Sequence, residues 1–334
     1  MTLQILWYLL IALLIIGYYV LDGFDLGAGV LSPFIAKTEP EKKAVVESLG
    51  PVWDGNEVWL LTAGGALFAA FAPAYATTFS GFYLAILLVL FGLIVRAVSL
   101  EFRSNDEDWR KLWDALFFLG SLVPALLFGV ALGNCLQGIP LAMNGDYTGT
   151  FLGLLTLFPL VCGLLGLSTI ITQGACWLAA KIEEGTELQA RAVQVRKVMF
   201  IVTIVLACLA AALYFGGIHT AFQGFAGGVT VIGAILLVAG FVCGLFFGAK
   251  GKDWLAFLSN CVVCAAFVIL YAAALFPNFV VSTGVGPNID IANAAGSDLT
   301  LTVMTIIACI GVPLVLIYHV IVYRTFRGKV PVES

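Results

Sequence analysis

Charged residues are scarce in this 334-residue chain: Asp, Glu, Lys and Arg make up 11% of it, where an ordinary soluble domain carries about 25%. With 61% hydrophobic residues and a mean hydropathy of +1.06, a water-soluble globule is excluded. The net charge is −4 and the 16 basic residues form no polybasic tract, so nucleic acid is excluded as a partner. Histidine is scarcer still, with only His219 and His319 present. A membrane cytochrome holding two bis-histidine haems would need twice that number, and Met1, Met143, Met199 and Met304 are poorly placed to substitute. The chain alone is therefore expected to bind no haem.

Other familiar devices are missing too. There is no P-loop, no His-Glu-x-x-His, no Ser-centred nucleophile elbow and no soluble domain to carry one. No catalytic or metal-binding residue is expected in this chain. No internal repeat or low-complexity linker is visible. Of the eight cysteines, seven lie in apolar stretches, and only Cys135 sits beside a polar turn. Cys261 and Cys264 form a C-x-x-C inside an apolar run. They read as buried small residues, since a thiolate there would lack a compensating charge. The first residues, Met-Thr-Leu-Gln-Ile-Leu-Trp, carry no Lys or Arg and lead to no small-residue cleavage pattern. They read as the start of a first span and not as a removed signal peptide.

What the chain has in abundance is apolar runs long enough to cross a bilayer, each needing about 20 residues. They predict an all-α integral membrane protein, a single transmembrane domain over 1–334, with nine spans near 3–33, 55–72, 79–100, 113–133, 151–179, 198–217, 227–249, 254–276 and 299–323. With nine spans, all 16 Lys and Arg fall in alternate joins and the tail, on one side of the membrane. By the positive-inside rule the N-terminus is then outside and the C-terminus cytoplasmic. Many of the 36 glycines are spaced for close helix contact, as in Gly23-x-x-x-Gly27 and Gly240-x-x-x-Gly244.

The informative residues are polar ones in apolar surroundings. Asp22 and Asp25 are three apart, on one helix face, and an ionisable group inside a span points to an ion pathway. Alternatively Asp22, about 28 Å along span one, pairs with a cytoplasmic Lys or Arg. Asp54 and Glu57 repeat the spacing in Trp53-Asp-Gly-Asn-Glu-Val-Trp59, at the cytoplasmic start of span two. There they are either a capping box or part of a site to which Trp53, Asn56 and Trp59 add polar groups. Arg96, near the end of span three, has Glu101 five residues on. The two read as an internal ion pair, as an interface anchor, or, with Trp53, as the polar floor of a ligand pocket. Asn134, Gln137 and Gln173 read as interhelical or turn hydrogen-bonding residues, and His319 as a packed or interface histidine.

Several of these stretches, Asp22-Gly-Phe-Asp-Leu-Gly and Trp53-Asp-Gly-Asn-Glu-Val-Trp-Leu-Leu-Thr-Ala-Gly-Gly above all, resemble subunit II of the cytochrome bd-type quinol oxidases, including the cyanide-insensitive members. Phe79-Ser-Gly-Phe-Tyr, Gly133-Asn-Cys-Leu-Gln-Gly-Ile-Pro, Ile171-Thr-Gln-Gly-Ala, Leu275-Phe-Pro and Leu299-Thr-Leu-Thr-Val-Met-Thr continue the likeness in the family's order.

The resemblance implies a nine-helix subunit of a bacterial or archaeal plasma-membrane terminal oxidase that oxidises membrane quinol and reduces dioxygen to water. Its partner would be a homologous-fold subunit I, carrying two haems b and haem d, with small single-helix accessory subunits in some members. The resemblance also allows a quinone bound within this chain. It assigns a cytoplasmic proton route to Asp54 and, in some members, to Asp25, with Asp22 and Glu57 beside them. Two departures stand out. Val52 occupies the position where many members have His before Trp-Asp-Gly-Asn, and the outer loop between spans six and seven is shorter than in the longest members. Two other classes stay in view: a proton-coupled secondary transporter, which would be colourless and active alone, and a purely structural subunit.

Overall fold

The computed structural model describes residues 2–218 and 225–333. His219 and the outer loop around it lie outside the described residues. The chain is a helical bundle: α1 (Thr2–Ile35), α2 (Glu39–Leu49), α3 (Trp53–Ala70), α4 (Ala72–Gly81), α5 (Tyr83–Phe102), α6 (Arg110–Gln137), α7 (Leu157–Lys181), α8 (Glu187–Leu213), α9 (Phe225–Ala249), α10 (Asp253–Leu275) and α11 (Asp298–Thr325). Between α10 and α11 two short antiparallel strands, β1 (Asn278–Val280) and β2 (Ile289–Asp290), add a small sheet that an all-helical reading did not include.

Among the described residues eight helices are long and apolar enough to cross a membrane, and the chain is a multi-pass membrane protein. The helix at the expected second span, α3, is not among the eight. Its 18 residues open on Trp-Asp-Gly-Asn-Glu, and that polar turn dilutes the apolar remainder. At 1.5 Å per residue it is still about 27 Å long. It starts beside the α2 end, where the Val52 N–H donates to Leu49 O. It finishes where the Gly296 N–H, just before α11, donates to Ala70 O.

Two helices escaped the sequence reading. One is α4, a helix of 10 residues that starts directly after Phe71. The other is α2, which starts with a full capping box: the Thr38 hydroxyl accepts from the Glu41 N–H while the Glu41 carboxylate accepts from Thr38, with a proline in the first turn. Thr-Glu-Pro-Glu carried that signal in plain view. The capping box considered for Asp54 and Glu57 is not formed, because α3 begins from Val52 without any side-chain cap.

Ion pairs gather the basic segments at one end of the bundle. Lys42 lies 2.8 Å from Asp114, Arg103 bonds both Asp114 and Glu39, Arg191 reaches Glu41, Arg196 lies 2.7 Å from Asp253 and Lys329 lies 2.6 Å from Glu184. Burial raises the Glu39 carboxyl, but its hydrogen bond to Lys42 and the charge of Arg103 outweigh burial and hold it below the ordinary range. The Asp114 hydrogen bond holds Lys42 above its own.

Apolar residues pack in three groups along the bundle: Phe24, Trp177, Leu178 and Phe257 toward the basic end, Tyr18, Leu26, Trp59 and Leu93 in the middle, and Trp7, Tyr8, Phe71 and Ile139 toward the other end. Lipid tails are as apolar as leucine, so helix contact depends on close fit and small residues. At Gly27 and Gly174 the backbones of α1 and α7 touch, and a β-carbon on either would run into the other chain segment. A β-carbon on Gly120 would lie 2.6 Å from Gly92 O, bringing α6 onto α5.

Helix α11 is attached differently. Of its residues only Leu301 and His319 are buried, and polar clips hold it. Trp7 Nε1 donates to Leu301 O and Thr305 Oγ1 at 3.1 Å, Trp59 Nε1 donates to His319 Nε2 at 3.1 Å, and the Tyr323 hydroxyl donates to Asn56 Oδ1 at 2.9 Å.

Candidate functional site

Where α1, α3 and α5 meet, the sequence places three carboxyl groups around one guanidinium. Asp22, Asp25, Asn56 and Arg96 are fully buried, at 0% exposure, whereas the Glu57 side chain keeps 22% of its surface. Helix α1 runs on to Ile35, so Asp22 stands about 20 Å short of its C-terminus and is no helix-end residue. Arg96 Nη2 donates to Asp22 Oδ1 at 2.7 Å and also to Glu57 Oε1. The pairing expected between Arg96 and Glu101 does not occur. A five-residue separation turns the two side chains to different faces of the helix, and Glu101 is exposed, using its carbonyl to accept from Asn105.

Asp25 belongs to a second strand of the same network. Its Oδ2 accepts from Asn56 Nδ2 at 2.7 Å, and Asn56 in turn accepts from Tyr323. Five polar atoms here are buried and have no partner among the described residues: Asp22 Oδ2, Asp25 Oδ1, Tyr18 Oη, and Nε and Nη1 of Arg96. Buried polar groups are ordinarily satisfied, by ordered water where protein does not reach.

Asp54 stands apart. It is exposed in the first turn of α3, three residues before Glu57 and so on the same face. Trp53 packs against the basic-end apolar group. Trp53, Arg96 and Glu101 thus do not converge on a pocket. A cavity at the basic end of the bundle is lined by none of the three. Val52 is 5% exposed and fills its place with apolar packing.

The residues read as structural behave so. Asn134 Nδ2 donates to Val130 O and Leu154 O at 2.9 Å, Gln137 accepts from Thr156, and Gln173 accepts from Asn260 and donates to Val20 O. Cys261 accepts from Gln173. Sequence reasoning missed Tyr18 and Tyr323. Tyr323 was detectable one helical turn after His319, on the same face.

His319 has both ring nitrogens engaged, Nε2 by Trp59 and Nδ1 by Val315 O at 2.8 Å. No group of three or more His, Cys, Asp or Glu side chains among the described residues could hold a metal ion.

A family profile described as cytochrome bd terminal oxidase subunit II matches residues 3–326. The chain belongs to that family. It is 36% identical to the Escherichia coli K12 protein named cytochrome bd-I ubiquinol oxidase subunit 2, over 100% of this chain and 96% of that one. It is 36% identical to the probable cytochrome oxidase subunit 2 of Haemophilus influenzae, over 98% and 95%. The Bacillus subtilis cytochrome bd ubiquinol oxidase subunit 2 is 32% identical, over 98% and 97%. In fold, the chain superposes with a TM-score of 0.80 on a chain of the bd oxidase structure from Geobacillus thermodenitrificans, covering 98% and 99% at 16% identity. Membership makes the chain one subunit of a terminal quinol oxidase and implies a partner, subunit I. It also counts against the transporter reading.

Proposed function

We infer that this subunit takes up protons at its basic end and passes them toward the partner that reduces dioxygen. The observation that carries this is the buried cluster itself: three carboxyl groups and one guanidinium. Their charges do not balance, and an ionisable group in a membrane interior is costly unless it serves a pathway. In this reading Asp54 collects protons from water and hands them to Glu57, which is partly exposed and bonded to Arg96. The Arg96 guanidinium holds Asp22 and Glu57 in place, while water on the unpartnered oxygens of Asp22 and Asp25 carries the proton on. Asp25, held on one oxygen by Asn56, is the inner station.

The same reading places nine crossings in the membrane, α3 included, with the N-terminus outside and the basic end in the cytoplasm of a bacterial or archaeal cell. Alternating Lys and Arg and the clustering of the ion pairs at one end support it. Two haems b and haem d are assigned to subunit I, since His319 is already engaged. Subunit I would supply the oxygen chemistry, and small single-helix subunits would join in some complexes. Dioxygen reduction takes up one proton per electron. If quinol releases its protons outside while these come from the cytoplasm, a gradient builds without a pump.

Asp54→Asn and Glu57→Gln, each purified as the whole complex, test the route. Both should assemble with normal haem content and lose a large part of their quinol oxidase turnover. Full turnover in both would leave the carboxylates a structural role only.

A further inference from the structure

A second feature lies outside the proton route. At the basic end a cavity of about 250 Å³ opens between the α2–α3 turn and the ends of α7, α10 and α11. Its walls include Ser48, Trp177, Lys181, Trp254, Tyr323 and Arg327, and no acidic residue lines it. At the same end Lys42, Arg103, Arg191 and Arg196 are each matched to a carboxylate.

Lys181 is 5% exposed, yet among the described residues its ammonium has no carboxylate partner within ion-pair distance. It donates to Phe326 O and sits 5.7 Å above the Trp177 ring. A buried ammonium without a counter-ion is costly. The C-terminal carbonyls of α7, worth about half a charge, offset part of that. Trp177 adds an indole N–H that is buried and has no acceptor among the described residues. Arg327, at the lip, is exposed and likewise pairs with no carboxylate among the described residues. Trp254 is 42% exposed, as tryptophan is at membrane–water interfaces.

We propose that this cavity binds the phosphodiester headgroup of an anionic phospholipid. The phosphate accepts from the Trp177 N–H and neutralises Lys181, Arg327 closes over it, and the glycerol and upper acyl carbons lie against Trp254 and Tyr323. A zwitterionic lipid brings its own cation and gains less from Lys181 and Arg327.

The test uses the purified complex exchanged into nanodiscs of equal dioleoylphosphatidylglycerol and dioleoylphosphatidylcholine, with retained lipids counted by native mass spectrometry. Wild type should keep phosphatidylglycerol in preference to phosphatidylcholine. Arg327→Gln should weaken that preference about fivefold, the usual effect of one cation near a membrane surface. Lys181→Met should abolish it, and Trp177→Phe, which keeps the aromatic packing, should lower it. Should Lys181→Met fail to assemble, the other two variants decide the matter. Equal retention of the two lipids by wild type, or identical retention by wild type, Arg327→Gln and Trp177→Phe, would overturn the proposal. Loss of phosphatidylglycerol to millimolar inorganic phosphate, or retention of a quinone in its place, would also overturn it.

Discussion

Arg96 is the most informative residue to perturb. It is 0% exposed and donates through one nitrogen to Asp22, also 0% exposed, and to Glu57. Replacing it by Gln keeps a donor of similar reach but removes the charge, leaving the Asp22 carboxylate buried beside Asp25 without compensation. Removing one partner of a buried pair costs about 3–5 kcal/mol. Glu57, with 22% of its side chain exposed, relaxes toward water and adds little to that figure. The replacement should therefore lower the apparent melting temperature of the detergent-purified complex by roughly 5 °C or more, scaled from the usual shift for chains of a few hundred residues. Asp22→Asn placed in the same chain removes the orphaned charge and should restore most of the loss. Differential scanning fluorimetry of wild type, both single variants and the double variant closes the cycle. If Arg96→Gln melts with wild type, or the second substitution rescues nothing, the three groups do not form the charge network described.

Elsewhere the expectations are simpler. Gly27→Leu forces a side chain into the α7 backbone at Gly174. It should prevent the subunit from accumulating in membranes, whereas Gly64→Leu, where a β-carbon meets nothing, should not; immunoblotting of membrane fractions separates the two. Thr38→Ala removes the α2 capping box and should cost about 1 kcal/mol, read as faster amide exchange confined to 38–49. The Lys42–Glu39–Asp114 staple should hold through the neutral range. Glu39 is held below its ordinary value, so its contribution is present above about 4.3 and lost as pH falls through the lowered one. Lys42 is held above, so its contribution is present below about 10.4 and lost as pH rises through the raised one. Protection in α2, corrected for the base-catalysed rise in intrinsic exchange, that falls between neutral and mildly alkaline pH would contradict this.

Much of the molecule was legible in the sequence, and the exceptions have physical reasons. Long apolar runs located eight of the spans because nothing in them competes with that signal. The helix α3 is marginal by composition because its first turn, Trp53 to Glu57, is given over to polar groups. The Asp22 and Asp25 spacing announced a shared face, but not that Arg96 would come from a helix some seventy residues away. Sequence offered only Glu101 as a neighbour, and helix rotation turned it outward. The clip between Tyr323 and Asn56 joins residues 267 positions apart, so no local pattern could reveal it. The cavity at Lys181 is legible only in three dimensions, since what defines it is the missing carboxylate.

The central claim, that protons travel inward through Asp25, is tested most directly by reconstituting the complex into liposomes that enclose a pH-sensitive dye. Oxygen consumption and internal pH are then recorded together in the population oriented with the basic end inward. Wild type should make the interior alkaline as oxygen is consumed. Asp25→Asn, with haem content unchanged, should lose both the alkalinisation and most of the oxygen consumption. An Asp25→Asn complex that consumes oxygen and alkalinises the interior at the wild-type rate would contradict the account.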